Sequence, residues 1–333
     1  MKKLATYIII PILFLAGLSL LLYPLVANKW NDYRQSQLIS SYDTEISQME
    51  ESGGIDYEAQ WARAHSFNDS LIPYILPDSF AIAEATEENS EYMACLNLTG
   101  NGIMGYVEIP KIDVKIPIYH TTSDEVLQTA AGHLEGSSLP VGGEDTHAVL
   151  SAHRGLPSAT LFTDLDRLEE GDYFLLYILD DILCYQVDQT TVVEPQETEA
   201  LAVVKGEDLV TLLTCTPYGV NSHRLLVRGH RVAYEPEVVE ESVPTAMPPS
   251  LHTNYLLWVI IGLSATAVFI FLLYLLDRRR RSRAASVVGK KALSAAPKSG
   301  KHAAAELPAS KPETDASGSE ADWIDLDSPE EKS

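Results

Sequence analysis

Residues 208–232, DLVTLLTCTPYGVNSHRLLVRGHRV, contain two apolar runs that are separated by the turn-like segment TPYGVNS. The first run ends on Cys215, and the second begins at Arg224. Proline and glycine in the connecting segment favour a turn. The pattern therefore predicts two strands, with a chain that turns back and brings Arg224 beside Cys215.

Short apolar runs and turns continue upstream of this hairpin as far as Met104. Strands are predicted at GYVEIP, VKIPIY, THAVLSAH, YFLLYIL and ILCYQVDQTTVV, with short helices at residues 124–131 and 161–168. Many short strands with few helices predict a mostly β domain, either a barrel or a sandwich. Before it, helices are predicted over residues 30–50 and around Tyr57–Ala64, followed by a long irregular loop.

Two segments, Leu4–Val26 and Tyr255–Leu276, contain no charged residue, and each is long enough to cross a hydrocarbon core of about 30 Å as a helix. Lys2 and Lys3 precede the first, and an arginine cluster beginning at Arg278 follows the second. The positive-inside rule then predicts a two-pass protein of the cell membrane, with both termini in the cytoplasm and the domain between them outside. Cleavage of the first segment as a signal peptide is the alternative.

Charge and cysteine content exclude some functions. The net charge of −23 argues against a nucleic-acid partner, which needs a basic face. The three cysteines, Cys95, Cys184 and Cys215, lack CxxC spacing, so neither a metal site nor a cofactor is predicted. Their odd number leaves at least one thiol free in an exported domain.

Three residues form a coherent candidate catalytic group. Cys215 and His153 each come at the end of a predicted strand, and Arg224 begins the last one. A thiolate at Cys215 can attack a carbonyl carbon, His153 can serve as general acid and base, and Arg224 can stabilise the oxyanion. On composition alone, Arg154 and Arg228 compete with Arg224 for the last role.

Two blocks of the sequence resemble the signature blocks of sortases. They are GHLEGSSLPVGGEDTHAVLSAHRG (residues 132–155) and TLLTCTPYGVNSHRLLVRG (residues 211–229), the second with the TLxTC pattern. The resemblance implies an eight-stranded sortase β-barrel in which Cys215 is the nucleophile, His153 the acid/base and Arg224 the oxyanion-stabilising group. It also implies cleavage of an LPxTG-like sorting signal between Thr and Gly through a thioacyl enzyme that an amine resolves.

The N-terminal helices, the second span and the PYGVNSHRLLVRG segment are similar to class C, the pilus-assembling sortases of Gram-positive bacteria. That class covers its active site with a lid that carries an Asp-Pro-aromatic motif. Asp78 and Phe80 match this motif, whereas Ser79 replaces its proline and leaves the backbone less restrained. The resemblance implies that Asp78 binds the catalytic arginine and that Phe80 packs near the thiol; an ordinary turn with one buried Phe is the alternative.

The leading hypothesis is therefore a sortase that joins pilin subunits through lysine–threonine isopeptide bonds. Two alternatives stay open: anchoring of surface proteins to a peptidoglycan amine of the cell wall, and a catalytically silent membrane-tethered binding module. The expected segments are the first span (1–27), exterior helices and lid loop (28–91), the catalytic barrel (92–235), an extended linker (236–253), the second span (254–277) and a disordered cytoplasmic tail (278–333).

Overall fold

The computed structural model describes residues 2–71, 78, 80, 90–242 and 255–294. Its helices are α1 (Lys2–Glu51), α2 (Tyr57–Ser70), α3 (Ser90–Ala94), α4 (Asp124–Leu127), α5 (Pro236–Ser242) and α6 (Tyr255–Ser294). Its strands are β1 (Ile103–Ile109), β2 (Val114–His120), β3 (Ala131–His133), β4 (Thr146–Ser151), β5 (Tyr173–Ile178), β6 (Asp181–Val193), β7 (Asp208–Thr216) and β8 (His223–Val232). Single 3₁₀ turns occupy Pro110–Ile112, Leu165–Arg167 and Glu199–Leu201.

The eight strands close into a barrel in the order β1-β2-β3-β4-β7-β8-β6-β5. This confirms the barrel and eliminates the sandwich. The pairs β2–β3 and β4–β7 are parallel, and the other neighbours are antiparallel. Every strand has a partner on both sides, so the barrel presents no free edge.

Strands β4 and β7 are continuous apolar runs in the sequence because nearly all of their residues are buried. Residues Thr146–Ser151 of β4 are all buried, as is β7 from Leu209 to Cys215. Strands covered on both faces lose the alternation of polar and apolar residues that a half-exposed strand shows. Because β4 and β7 pair in parallel, their C-terminal ends meet at the same end of the barrel.

The N-terminal helices differ from the expected arrangement in their bounds. The first span and the helix at residues 30–50 form one continuous helix, α1, since no residue type between them breaks the helical repeat. The predicted apolar face is confirmed at Tyr42 and Ile46, which pack against Ile103 of β1. Helix α2 is capped at its N-terminus by Asp56, whose carboxylate accepts a hydrogen bond from the Ala59 amide.

Three further differences from expectation have local causes. Strand β3 lies at the end of a segment predicted to be helical, and only Asp124–Leu127 of that segment forms a helix. The expected extended linker begins as α5, because Val239 is buried against Leu175 and Cys184 of the barrel. Helix α6 continues to Ser294, so the start of the expected disordered tail is helical; residues 243–254 and 295–333 lie outside the described part of the chain.

Two helical segments are long and apolar enough to cross a membrane, one within Ile12–Glu51 and one at Leu257–Leu276. The second has a mean hydropathy of 2.6. The chain divides into two units, residues 1–268, which include the barrel, and residues 269–333, of which the described part is helical.

Candidate active site

Cys215 and Arg224 are direct cross-strand partners in the β7–β8 hairpin. Cys215 is the penultimate residue of β7, and Arg224 is the second residue of β8. Cβ atoms of directly opposed residues lie about 4.5–5.5 Å apart, so the ladder itself holds the guanidinium stem beside the thiol. The predicted proximity of these two residues is confirmed, and its cause is the register of the hairpin.

His153 reaches the same site through the parallel pair β4–β7. Ser151 pairs with Leu213 at the end of this ladder, and the Ala152 amide donates to the Leu213 carbonyl at 3.1 Å. His153 is the second residue after Ser151, and Cys215 is the second residue after Leu213, so both lie near the C-terminal end of this ladder. The histidine lies just beyond the last residue of its strand rather than on it, which differs slightly from the expected placement.

Asp78 binds Arg224 through a bidentate ion pair. Arg224 Nε donates to Asp78 Oδ1 at 2.7 Å, and an Arg224 terminal nitrogen donates to Asp78 Oδ2 at 2.6 Å. The two side chains are only 10% and 12% exposed. Planar two-point pairing of this kind is the strongest ordinary contact between guanidinium and carboxylate. The remaining terminal nitrogen of Arg224 donates to the carbonyls of Asn221 and His223 at 3.3 and 3.2 Å.

The Phe80 ring contacts both His153 and Arg224. Its ring centroid is 5.3 Å from that of His153, and the Arg224 Cζ atom is 5.1 Å from the Phe80 centroid. Phe80 also packs against an apolar cluster of Leu134, Val149, Leu201, Leu213 and Leu226. The expected contacts of Asp78 with the arginine and of Phe80 at the site are thus present, while Ser79 lies outside the described residues.

Burial opposes charge on both the thiol and the imidazole. Desolvation raises the pKa of the Cys215 thiol; the positive charge of Arg224 acts in the opposite direction, and the negative charge of Asp78 adds to the rise. Desolvation lowers the pKa of His153, against a smaller opposing effect of Asp124. Both groups are therefore predominantly uncharged near neutral pH. Asp124 begins α4, and nothing in its sequence spacing had linked it to His153.

A narrow cavity adjoins Arg224. Its apolar walls come from three neighbouring strands and from the β6–β7 connection, and the carboxylates of Glu194 and Glu197 also line it. The lining residues are Asp78, Val193, Glu194, Pro195, Glu197, Thr198, Leu201, Leu213, Arg224 and Leu226.

The two competing arginines have other partners. Arg154 forms an ion pair with Asp166 and donates to Thr216 Oγ1 at 3.1 Å. Arg228 forms a bidentate pair with Asp188, both contacts being 3.0 Å. Arg224 is the one of the three candidates that pairs directly with Cys215 in the hairpin.

Comparison with known proteins gives a family. The sortase-domain family model matches residues 107–232. Sortase C from Streptococcus pneumoniae is 49% identical, with a TM-score of 0.55 over 60% of this chain and 97% of that structure. Sortase C1 from Streptococcus agalactiae is 47% identical, with a TM-score of 0.54 over 60% of this chain and 100% of that one.

Two curated relatives are more distant. Sortase D from Bacillus subtilis (strain 168) is 30% identical over 131 residues, which are 38% of this chain and 63% of that protein. Sortase A from Bacillus anthracis is 27% identical over 140 residues, 42% of this chain and 65% of that protein. The chain thus spans a little under two thirds of the length of these relatives. It belongs to the sortase family, and the solved structures that it resembles are class C sortases.

Proposed function

We propose that this protein is a cysteine transpeptidase that uses Cys215, His153 and Arg224. The observation that carries the proposal is the register that opposes Cys215 to Arg224, together with the parallel β4–β7 pair that ends two residues before His153 and Cys215. In the first half-reaction, the Cys215 sulfur attacks the carbonyl carbon of the scissile peptide bond. Arg224 donates to the developing oxyanion, and His153 gives a proton to the leaving amine.

The second half-reaction runs the same steps in reverse with a different amine. An incoming primary amine attacks the thioacyl carbon, His153 accepts its proton, and the Cys215 sulfur leaves. Because the thiol and the imidazole are both mostly uncharged at rest, the reactive thiolate–imidazolium pair forms by proton transfer between them. The proposed reaction needs no metal or cofactor.

Asp78 and Phe80 act in this proposal as a lid. Asp78 occupies Nε and one terminal nitrogen of Arg224, and the other terminal nitrogen donates to the Asn221 and His223 carbonyls, so the ion pair must open before the guanidinium can bind an oxyanion. Phe80 must also leave His153. The hypothesis that an LPxTG-like sorting signal replaces the lid is supported by the apolar walls of the adjoining cavity, which suit leucine and proline.

We further infer that the substrates are pilins and that the acceptor is a pilin lysine. The support is the resemblance to class C sortases, among them the S. pneumoniae enzyme whose structure was described in terms of pilin substrate specificity. Transfer to a peptidoglycan amine is the second candidate, and a silent binding module is the third. The apolar segments of α1 and α6 support two-pass anchoring, and the positive charges flanking them, Lys2, Lys3 and the cluster from Arg278, favour a barrel outside the cell.

Mass spectrometry of the full chain in detergent micelles, incubated with an LPxTG peptide, tests the reaction. A covalent adduct on Cys215 is expected in the parent and in Cys184→Ala, the matched control, and should be lost in Cys215→Ala. Adding candidate pilins should then give a ladder of linked subunits. If neither the parent nor the variant with Asp78 and Phe80 replaced by alanine forms an adduct, the enzymatic proposal fails and the binding module is favoured.

A further inference from the structure

The segments that carry His153 and Cys215 are tied together by side chains on both sides of these two residues. Before them, Thr214 Oγ1 donates to the Ala152 carbonyl at 2.7 Å, fully buried. After them, a terminal nitrogen of Arg154 donates to Thr216 Oγ1 at 3.1 Å. We call these two hydrogen bonds the clamp. The first bond joins Ala152 to Thr214, the residues before His153 and Cys215. The second joins Arg154 to Thr216, the residues after them.

The clamp lies just beyond the last main-chain pair of the β4–β7 ladder. Strand β4 ends at Ser151, so His153 projects from the first residues of a loop. That loop then turns at Gly155, whose φ is +78° and whose Cα packs against Tyr218 of the β7–β8 connection. A Cβ at Gly155 would lie only 3.0 Å from Tyr218 Cε2. Side-chain contacts therefore hold this loop against the cysteine strand beyond the end of the ladder.

Arg154 is held in place from the other side by Asp166. The carboxylate of Asp166, in the 3₁₀ turn Leu165–Arg167, forms an ion pair with a terminal nitrogen of Arg154. The Arg154 side chain is 4% exposed, whereas that of Asp166 is 46% exposed. The guanidinium thus bridges a fixed turn on one side and the residue that follows Cys215 on the other.

The contacts of the Arg154 guanidinium are poorly suited to stabilising the fold. The Nε group of Arg154 is buried without a hydrogen-bond partner among the described residues. The guanidinium loses nearly all of its contact with water, whereas its partner Asp166 is 46% exposed, so the ion pair offsets only part of the cost of burying Arg154. A buried arginine with an unused donor is better explained by what it positions than by the stability that it adds.

We propose that Arg154 is a positioning residue for the transpeptidation, which holds His153 at a fixed distance from Cys215 by linking its own segment to Thr216. This inference rests on the proposed function, because it concerns the transfer of a proton between the imidazole and the sulfur. A misplacement of about 1 Å in such a pair can reduce the rate of the chemical step by about a hundredfold. Arg154 itself contacts neither the thiol nor the substrate in this role.

Kinetics of the full chain in detergent micelles test the proposal, with cleavage of an LPxTG peptide as the reaction. Arg154→Met should lower kcat by at least about tenfold, with KM changed less than about twofold. Thr216→Val should lower kcat to a similar degree. The kcat of the double variant should be no lower than that of Arg154→Met alone, because both substitutions remove the same hydrogen bond between Arg154 and Thr216. Arg154→Lys, which retains a cation but only one donor group, should recover part of kcat.

Arg228→Met is the matched control, since it removes another arginine from an ion pair on the same barrel. A kcat for Arg154→Met equal to that of Arg228→Met would overturn the proposal. So would effects of Arg154→Met and Thr216→Val that multiply in the double variant, or a change confined to KM. Equal thermal midpoints for Arg154→Met and Arg228→Met would show that reduced kcat does not reflect unfolding.

Hydrogen exchange separates this inference from the proposed function. In Arg154→Met, the amides of residues 152–155, 214–216 and 218 should exchange faster, while those of β1 and β2 should not change. Unchanged exchange in both segments would refute the clamp, whatever the kinetics. Faster exchange in Arg154→Met than in the parent, combined with no peptide adduct on the chain in which Asp78 and Phe80 are replaced by alanine, would instead refute the proposed transpeptidase and leave the clamp as a feature of the fold.

Discussion

Replacing Asp78 and Phe80 together with alanine should make Cys215 react faster with iodoacetamide. The closed lid buries the thiol, which is only 7% exposed, and Phe80 lies against His153 beside it. If the reagent reaches the sulfur only when the lid is open, the observed rate is the intrinsic rate multiplied by the open fraction. Removing the contacts that keep the lid closed raises that fraction.

The size of the effect follows from those contacts. A hydrogen bond to a charged group contributes about 1.5–3 kcal/mol, and the Asp78–Arg224 pair contains two that share one geometry. Burying a phenylalanine side chain completely contributes about 1.5–3 kcal/mol, and Phe80 is half-buried. A combined loss of about 3 kcal/mol corresponds to roughly a hundredfold change in the open-to-closed ratio. At least a tenfold acceleration is expected, since some opening already occurs in the parent.

The pH dependence should change as well. Burial and the charge of Asp78 both raise the pKa of the Cys215 thiol, and both influences are removed in the double variant. The thiol pKa therefore falls, and the midpoint of the alkylation rate against pH should move to lower pH. Asp78→Asn keeps the size of the side chain but loses its charge, so the midpoint should also move, with a smaller gain in access.

The assay is mass-spectrometric quantification of alkylated Cys215 in the full chain, in micelles, over a pH series. Cys95 and Cys184 are buried at 1% and 0% exposure, so their labelling reports unfolding in the same sample. Asp188→Ala is the matched control, because it removes a bidentate carboxylate from Arg228 instead. Alkylation of Cys215 in the double variant that is equal to or slower than in the parent would refute the lid.

Two further predictions concern stability. Burial lowers the pKa of His133 to about 4 from 6.5, so the unfolded chain binds the proton more readily; the free energy of unfolding should fall by roughly 3 kcal/mol between pH 6.5 and 4, and less in His133→Gln, when measured by urea titration. Gly105→Ala should destabilise the barrel by more than about 2 kcal/mol, since its Cβ would lie 2.1 Å from the Tyr177 carbonyl oxygen. Gly171→Ala, at a positive φ in open space, should cost only about 1 kcal/mol, and equal costs for the two substitutions would contradict the steric argument.

The local parts of the site could be predicted from the sequence, whereas the long-range parts could not. Cys215 and Arg224 belong to one hairpin, so a turn between two apolar runs suffices to bring them together. His153 is one of nine histidines, and only its resemblance to a sortase block selected it before its pairing with the cysteine strand was visible. Asp78 and Arg224 are separated by 146 positions, a distance over which spacing carries no information.

The same limit explains the errors in the fold. Strand β3 has three residues, Ala131–His133, too few for a period of two to be recognised, and only three residues separate it from the short helix α4. Helix α5 has the proline and glutamates of a linker, and its docking depends on the single buried side chain of Val239. Barrel closure depends on the pairing of β1 with β5, which no local pattern records.

The continuous helix α1 has a mechanical consequence for the anchoring proposed above. Its first buried polar residues, Asn31 and Gln35, begin roughly 6 Å beyond the expected end of the span at residue 27, and Gln35 donates to the Thr129 carbonyl of the barrel domain. Tyr42 and Ile46 extend the same contact along the helix. In the proposed anchoring, a continuous helix therefore holds the barrel close to the lipid headgroups, and no flexible tether lets it move away from them. Any protein that it processes must deliver its cleavage site to that fixed height above the bilayer.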